Sequence, residues 1–342
     1  MGGFRSVAYP LFGIFVMTLP VLLVGASALA TLAIARSATR QRRAGFTCGL
    51  VGAGFILLDA LLLKALPWQG LSYGPVLFSL VFLVCIRASM YVLWAGLQIR
   101  LVREKGKLPS FVPFLLANAF LTGLILYGFY FEPFNLKVTR VEVQAPAAKM
   151  RAPLRIVALS DLHVERITKR ERRLVSLVQS LRPDVIVLTG DYLNLSFLQD
   201  ARALQETRAL FRQLSAPYGV YAVRGSVDGQ HLSQALFSDM PISLLEDRVA
   251  RIDIPGGKLA IIGVTDWDDA RDGEMIARLS ASIPADEYGL LLFHTPDQAF
   301  NAARDEIDLY LAGHTHGGQI CLPFYGAIVT ASVYGKRFEA GR

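Results

Sequence analysis

The stretch Arg155–His163 reads Arg-Ile-Val-Ala-Leu-Ser-Asp-Leu-His. Its first five residues make a mostly apolar run of strand length. The run delivers a carboxylate and an imidazole two residues apart. Runs of this kind suit strands buried on both faces. The arrangement recurs along the chain. Val185–Thr189 leads into Gly190-Asp191, and Gly219–Val223 leads through Arg224 into Gly225-Ser226-Val227-Asp228. Gly289–Phe293 leads into His294, and Asp308–Ala312 into Gly313-His314-Thr315-His316-Gly317-Gly318. Leu259–Val264 is a further run of the same type. Between these runs, Leu174, Leu177, Val178 and Leu181 fall at helical spacing, as do Leu204, Leu210, Phe211 and Leu214. They predict helices over Thr168–Leu181 and Ala201–Leu214. Alternating strand and helix signals predict an α/β domain over residues 151–342.

Ligands of α/β sheets gather beyond the carboxyl ends of the strands. Here five strand ends each deliver Asp, His or both, and four of the five histidines in the chain lie in these motifs. Each motif alone has a plainer reading. Asp161 and Asp191 could cap helices, His294 could be a hydrogen-bonded core histidine, and His314 and His316 could be turn residues. Jointly these readings fail, because the motifs recur at one sheet edge. A mixed carboxylate and imidazole set is chemistry for catalytic divalent ions such as Mn, Fe, Zn or Mg, with positions left open for water. It is unlike a closed thiolate site. Glycines at 190, 313, 317 and 318 fit turns where backbone must approach a ligand closely.

The first third of the chain is of another kind. Of the 342 residues, 53% are hydrophobic and 18% charged, which excludes a disordered chain or a nucleic-acid-binding tail. Residues 1–131 hold 11 Lys/Arg against 2 Asp/Glu, and the rest of the chain is nearly balanced. The basic character therefore belongs to the first third and gives no reason to expect a nucleic-acid partner. Three cysteines make no disulfide framework. Four segments reach the roughly 20 apolar residues that a membrane span needs: Tyr9–Ala35, Phe46–Leu66, Tyr73–Ile99 and Phe111–Phe131. Four transmembrane helices are thus expected over 1–131, then a linker over 132–150 with an edge strand at Val138–Val143. Basic loops at Arg36–Arg43 and Arg100–Lys107 predict cytoplasmic loops and an extracytoplasmic α/β domain. Asp59, Lys64 and Arg87 lie inside spans. Such charges mark either function or pairing between helices, and Asp59–Arg87 is the expected pair, with Lys64 reaching the interface.

The set Asp161-x-His163, Gly190-Asp191, Gly225-x-x-Asp228, His294 and Gly313-His314-x-His316 resembles the calcineurin-like metallophosphoesterases. The string Gly313-His-Thr-His-Gly-Gly-Gln-Ile320 is similar to one membrane-attached bacterial branch of that superfamily. The resemblance spans roughly residues 136–342 and leaves residues 1–131 unexplained. It implies a four-layer α/β/β/α sandwich with two mixed sheets. It also implies that Asp161, His163 and His316 hold one metal ion, that His294 and His314 hold a second, and that Asp191 bridges them. A bridging hydroxide would then attack phosphorus in line with the leaving alkoxide. Asp161, Asp191, His314 and Asp228 are the catalytic candidates. The implied activity is a phosphoric ester hydrolase of a bacterial inner membrane. It would cleave a phosphodiester or pyrophosphate in a phosphorylated small molecule or an envelope lipid.

This chain departs from the pattern. The family's Gly-Asn-His-Asp/Glu is here Gly225-Ser226-Val227-Asp228. Ser226 replaces an amide ligand of the second metal with a shorter hydroxyl, a candidate ligand that could bind directly, hold a water or do neither. Val227 replaces a histidine that acts on the leaving group, with His231, three residues past Asp228, as a substitute or as a solvent-exposed bystander. The branch also continues past Tyr334–Phe338, which implies a domain truncated at Arg342 or an incomplete last sheet. Two rival readings follow: a catalytically impaired module binding metal or phospholipid, and a sensor or channel-like protein whose spans carry the function.

Overall fold

The computed structural model describes residue 29 and residues 39–65, 76–105, 110–265, 269–318, 321–322, 324–328 and 330–339. The expected span Tyr9–Ala35 lies outside the described residues apart from Leu29. The chain forms two compact units, residues 3–135 and residues from 136 onward.

The described part of the first unit is helical. Helices α1 (Thr39–Ala65), α2 (Val76–Lys105) and α3 (Val112–Leu126) follow one another, and α3 runs on through a π turn (Tyr127–Phe131) into a 3-10 turn (Glu132–Phe134). Three helical stretches, Arg42–Ala65, Ser79–Val102 and Val112–Phe134, are long and apolar enough to cross a membrane. Large apolar side chains such as Leu57, Leu116 and Phe120 point outward on them, as in helices solvated by lipid. The helices outrun the expected spans: Arg40, Arg42 and Arg43 belong to α1 and Arg100 to α2, where loops were expected. At 1.5 Å per residue, a helix of 30 residues is about 45 Å long, against about 30 Å of hydrocarbon, so charged ends can stand in the headgroup layer.

Arg87 is fully buried in this unit. Its Nε and Nη2 donate to Asp59 Oδ2 and Oδ1, both at 2.9 Å. Nη1 donates to the Asn118 carbonyl (2.7 Å) and to Asn118 Oδ1 (3.0 Å), and Nη2 also to Thr122 Oγ1 (2.8 Å). Every guanidinium N–H thus has an acceptor, drawn from α1 and α3. Lys64 is exposed in the last turn of α1.

The second unit carries two four-stranded sheets. Strands β1 (Ile156–Leu159), β2 (Val185–Leu188), β3 (Val220–Ala222) and β4 (Ile242–Leu244) lie in that order, all parallel. Strands β5 (Arg248–Ile254), β6 (Gly257–Gly263), β7 (Tyr288–Leu292) and β8 (Leu309–Leu311) form the second, with β5 antiparallel and the rest parallel. Only the second sheet is mixed, a correction to the expectation of two mixed sheets. A helix follows each of β1, β2 and β3 before the next strand, which leaves all neighbours parallel. In the second, the tight turn at Asp253–Lys258 folds β5 back on β6.

Period-two side-chain placement decides the cores. In β2, Ile186 and Leu188 join a cluster with Val175 and Val178 of α4 (Lys169–Leu181), Leu210 and Phe211 of α5 (Ala201–Phe211), and Leu236 of α6 (Gln230–Phe237). Val185 and Val187, on the other face, meet Leu259 and Ile261 of β6 and Leu290 and Leu292 of β7. The opposite face of β6 and β7 offers Ile262 and Leu291 to Ile276 of α7 (Asp269–Ser280) and Ala302 of α8 (Ala299–Arg304). Each fully buried Leu, Ile or Val contributes about 1.5–3 kcal/mol. Helix α4 begins where a capping box predicts: the Thr168 side chain accepts from Arg170 N, and Glu171 accepts from Thr168 N. Residues Val138–Val143 form no strand. Val138, Val141 and Val143 are exposed, and among the described residues no sheet edge pairs with them; Met150 bridges to Gly257.

Candidate metal centre

The strand ends bring the candidate ligands into two groups. Asp161, His163 and His316 form one, and Asp191, His294 and His314 the other. Within each group a ligand atom of every residue lies within 4.8 Å of the others. In the first, His163 Nε2 faces His316 Nε2 at 3.2 Å, and His316 Nε2 is 3.2 Å from Asp161 Oδ1. In the second, His294 Nε2 is 3.2 Å from His314 Nδ1 and 3.3 Å from Asp191 Oδ2. The same Asp191 oxygen is 3.8 Å from His163 Nε2. Converging imidazole nitrogens and carboxylate oxygens are the donor chemistry of a divalent cation, so the residues present fit two such ions.

The local backbone is built for this convergence. Asp161, His163, Asp191, His314 and His316 all have positive φ, between 42° and 70°. Non-glycine residues adopt that region rarely, and strain of this kind collects at functional sites. Gly313 sits so close to Ser160 and Asp161 that a Cβ there would overlap Ser160 Oγ and Asp161 Oδ2. Its neighbour His314 donates its backbone N–H to Asp161 Oδ2 at 2.9 Å. Gly225 likewise packs its backbone against Asp191, where any side chain would collide.

Outer partners fix the ligands. His294 is completely buried, and its Nδ1 is 2.8 Å from the Thr189 carbonyl. A carbonyl only accepts, so Nδ1 carries the proton and Nε2 is the nitrogen presented to the site. Burial alone would raise the Asp191 carboxyl, but the His294 hydrogen bond and charge, with the Val227 N–H, hold it down to about 2. Burial works against protonated His294, yet the hydrogen bond and charge of Asp191 push it up to about 9. Burial holds His163 below its usual value, which favours the neutral, ligating imidazole.

The Gly225–Asp228 turn does not bring all its expected residues to the donor groups. Ser226 Oγ lies 3.3 and 3.4 Å from the two Asp191 oxygens, close to the site but bonded to a ligand. Asp228, a catalytic candidate from the sequence, turns into the protein. Its carboxylate accepts from the backbone N–H groups of Asp191 (2.6 Å), Gly225 (2.9 Å) and Tyr192 (3.1 Å). It belongs to neither donor group and is a positioning residue. Burial and the Asp191 charge push its carboxyl up to about 6. His231 is exposed on α6. Reading the sequence missed the Thr189 carbonyl and the Val227 N–H, which donates to Asp191 Oδ1 at 3.1 Å. Backbone groups leave no residue-type signal.

Comparison with known proteins agrees with this geometry. Residues 154–318 match the calcineurin-like phosphoesterase family. An uncharacterised metallophosphoesterase of Bacillus subtilis, YkuE, is 30% identical over 228 residues, covering 63% of this chain and 76% of that protein. The phosphodiesterase YaeI of Escherichia coli is 31% identical over 203 residues, 56% of this chain and 70% of that one. A bovine transmembrane protein with a metallophosphoesterase domain is 30% identical over 186 residues, 49% of this chain and 41% of its own. Both donor groups lie inside the matched segment, and this chain belongs to the calcineurin-like phosphoesterases.

Proposed function

We propose that the chain is a membrane-anchored, two-metal phosphoesterase. Asp161, His163 and His316 hold one ion, His294 and His314 the other, and Asp191 is shared. One observation carries the reading: Asp191 Oδ2 reaches a nitrogen of each group, His294 Nε2 at 3.3 Å and His163 Nε2 at 3.8 Å. Two divalent ions bound there would supply an activated water and neutralise phosphoryl charge. The chain's own residues orient that chemistry. Thr189 sets the His294 ring, Val227 N–H and Ser226 Oγ steer Asp191, and Asp228 holds the turn that carries them.

The three core clusters support a four-layer α/β/β/α arrangement. The apolar helices support an integral membrane protein, and the basic residues of the N-terminal third support an extracytoplasmic catalytic domain at a bacterial inner membrane. A domain held at a bilayer favours a phosphodiester or pyrophosphate in a lipid or envelope molecule. Metal stoichiometry tests the reading. Detergent-purified protein loaded with Mn²⁺ should hold two ions per chain by elemental analysis, and His294→Ala should hold about one. A single ion in the unaltered chain contradicts it. Two ions without turnover would instead favour a binding module, the reading that Ser226 and Val227 keep open.

A further inference from the structure

A short hairpin follows the His314–His316 loop. Strands β9 (Cys321–Leu322) and β10 (Gly326–Ala327) pair antiparallel. Between them Phe324 is fully exposed, and Leu322 and Tyr325 are 50% and 62% exposed. Phe324 has φ 65°, an unfavourable conformation for a bulky residue. The fold thus holds a large ring out in water on a strained tip. Two exposed cations follow in the chain, one beside Tyr325 and the other in a neighbouring aromatic cluster. Lys336 Nζ lies 3.2 Å from the centroid of the Tyr325 ring and donates to the Tyr325 carbonyl at 2.7 Å. The Arg337 guanidinium lies 4.8 Å from the Phe300 centroid, within an edge-to-face cluster of Phe300, Tyr334 and Phe338.

We propose that this hairpin is a membrane-docking surface: Leu322, Phe324 and Tyr325 seat in the headgroup layer of an anionic bilayer, with Lys336 and Arg337 against lipid phosphates. The proposal rests on the membrane-anchored reading above. Aromatic rings with neighbouring cations suit an interface that is apolar on one side and anionic on the other. The bilayer is the surface within reach. Residues 135–155 join the last apolar helix to β1, a tether of at most about 75 Å at full extension. The cations supply charge complementarity to anionic lipid.

The hairpin is also tied to the metal centre. Cys321 Sγ is 3.3 Å from the Gly317 carbonyl, and Ala327 packs against Gly318 so closely that a side chain there would collide. Thr315 Oγ1 donates to the Glu339 carbonyl at 2.9 Å, next to the turn that carries Lys336 and Arg337. A seated hairpin would therefore bring His314 and His316 to the depth of lipid phosphates. That selects phosphorylated headgroups over soluble phosphoesters.

The test uses the full chain in lipid nanodiscs, with a nitroxide on the native exposed Cys321 after Cys48→Ala and Cys85→Ala. Collision rates with oxygen and with a water-soluble nickel chelate report depth. In discs containing phosphatidylglycerol, the oxygen-to-nickel ratio should rise severalfold over a label at Gln213→Cys, and fall back in K336E/R337E or F324D. A ratio equal to the Gln213→Cys reference, in chain that has entered the discs, overturns docking and leaves the membrane reading standing. Failure of the chain to enter discs overturns both. Spin–spin broadening that tracks copies per disc, whatever the lipid, assigns the surface to a second copy and overturns the proposal.

Discussion

The Asp191 carboxylate and the His294 imidazole stand 3.3 Å apart as a buried pair, with Asp191 held down to about 2 and His294 up to about 9. Without metal ions the pair is an ion pair, and its contribution to stability has a defined window. Asp191 has a folded value below its usual 3.8, so its share is present above about pH 4 and is lost as pH falls through 2. His294 has a folded value above its usual 6.5, so its share is complete below 6.5 and is lost as pH rises through 9. Asp228 runs the other way: raised to about 6, it costs stability as pH rises from 3.8, and the cost is complete above 6. EDTA-treated protein should therefore lose Tm steadily between pH 6.5 and 9. Thermal melts across that range check this, and a Tm flat or rising with pH contradicts it.

The same proton competes with metal. At neutral pH an ion entering the second group must displace the His294 proton, so Mn²⁺ binding should release protons and tighten as pH rises toward 9. Calorimetry in buffers of different ionisation enthalpy reads the released protons. Binding independent of pH would place the ion elsewhere.

Asp228 holds three backbone N–H groups at once. Asp228→Asn turns an amide N–H toward at least one of them and removes the charge. It should destabilise the domain by about 2–4 kcal/mol. Turnover should fall while the metal content of protein that remains folded holds near the unaltered value. Unchanged stability would show that the turn stands without the carboxylate.

Val227 gives the site a backbone N–H and an apolar side chain where a proton donor could act. Rates should therefore fall steeply as the leaving group becomes more basic across a series of aryl and alkyl phosphodiesters. Val227→His should restore part of the rate on the basic end, within the 10²–10⁴-fold range of general acid catalysis. A shallow dependence in the unaltered chain would mean that another group already protonates the leaving oxygen.

In the helical unit, Arg87 binds α1 to α3 through Asp59, Asn118 and Thr122. Asp59→Asn leaves a buried guanidinium without its counter-charge and should cost about 3–5 kcal/mol. D59L/R87M should cost much less than either single change. Denaturation in mixed micelles measures all three. A double variant as poor as the single ones would give the charges a role beyond packing.

Much of this was legible from residue types. The uniform apolar runs at β2 and β7 needed no partner to be recognised, because strands buried on both faces are apolar throughout, while β1 carries the same signature at a sheet edge, where Ala158 stays exposed. Helix α4 announced itself through the helical spacing of Leu174, Leu177, Val178 and Leu181. Seven ligand candidates lie where short motifs end strands; six of them, the Asp and His residues, fall into the two donor groups, and the seventh, Ser226, lies on Asp191 instead. Strand β5 was missed because it lies at a sheet edge, where Arg248, Arg251 and Asp253 interrupt its apolar residues and only Ile254 is buried. Val138–Val143 shows the converse error: a valine-rich stretch read as a strand, but a strand also needs an edge to pair with. The inward turn of Asp228 was invisible because it depends on three backbone groups from two loops.

The most direct test of the central claim is hydrolysis of an activated phosphodiester by the detergent-purified full chain, with and without Mn²⁺, beside Asp191→Asn. The account predicts metal-dependent turnover that falls by at least three orders of magnitude in the variant, with the variant still folded. No metal-dependent turnover above that variant would contradict it.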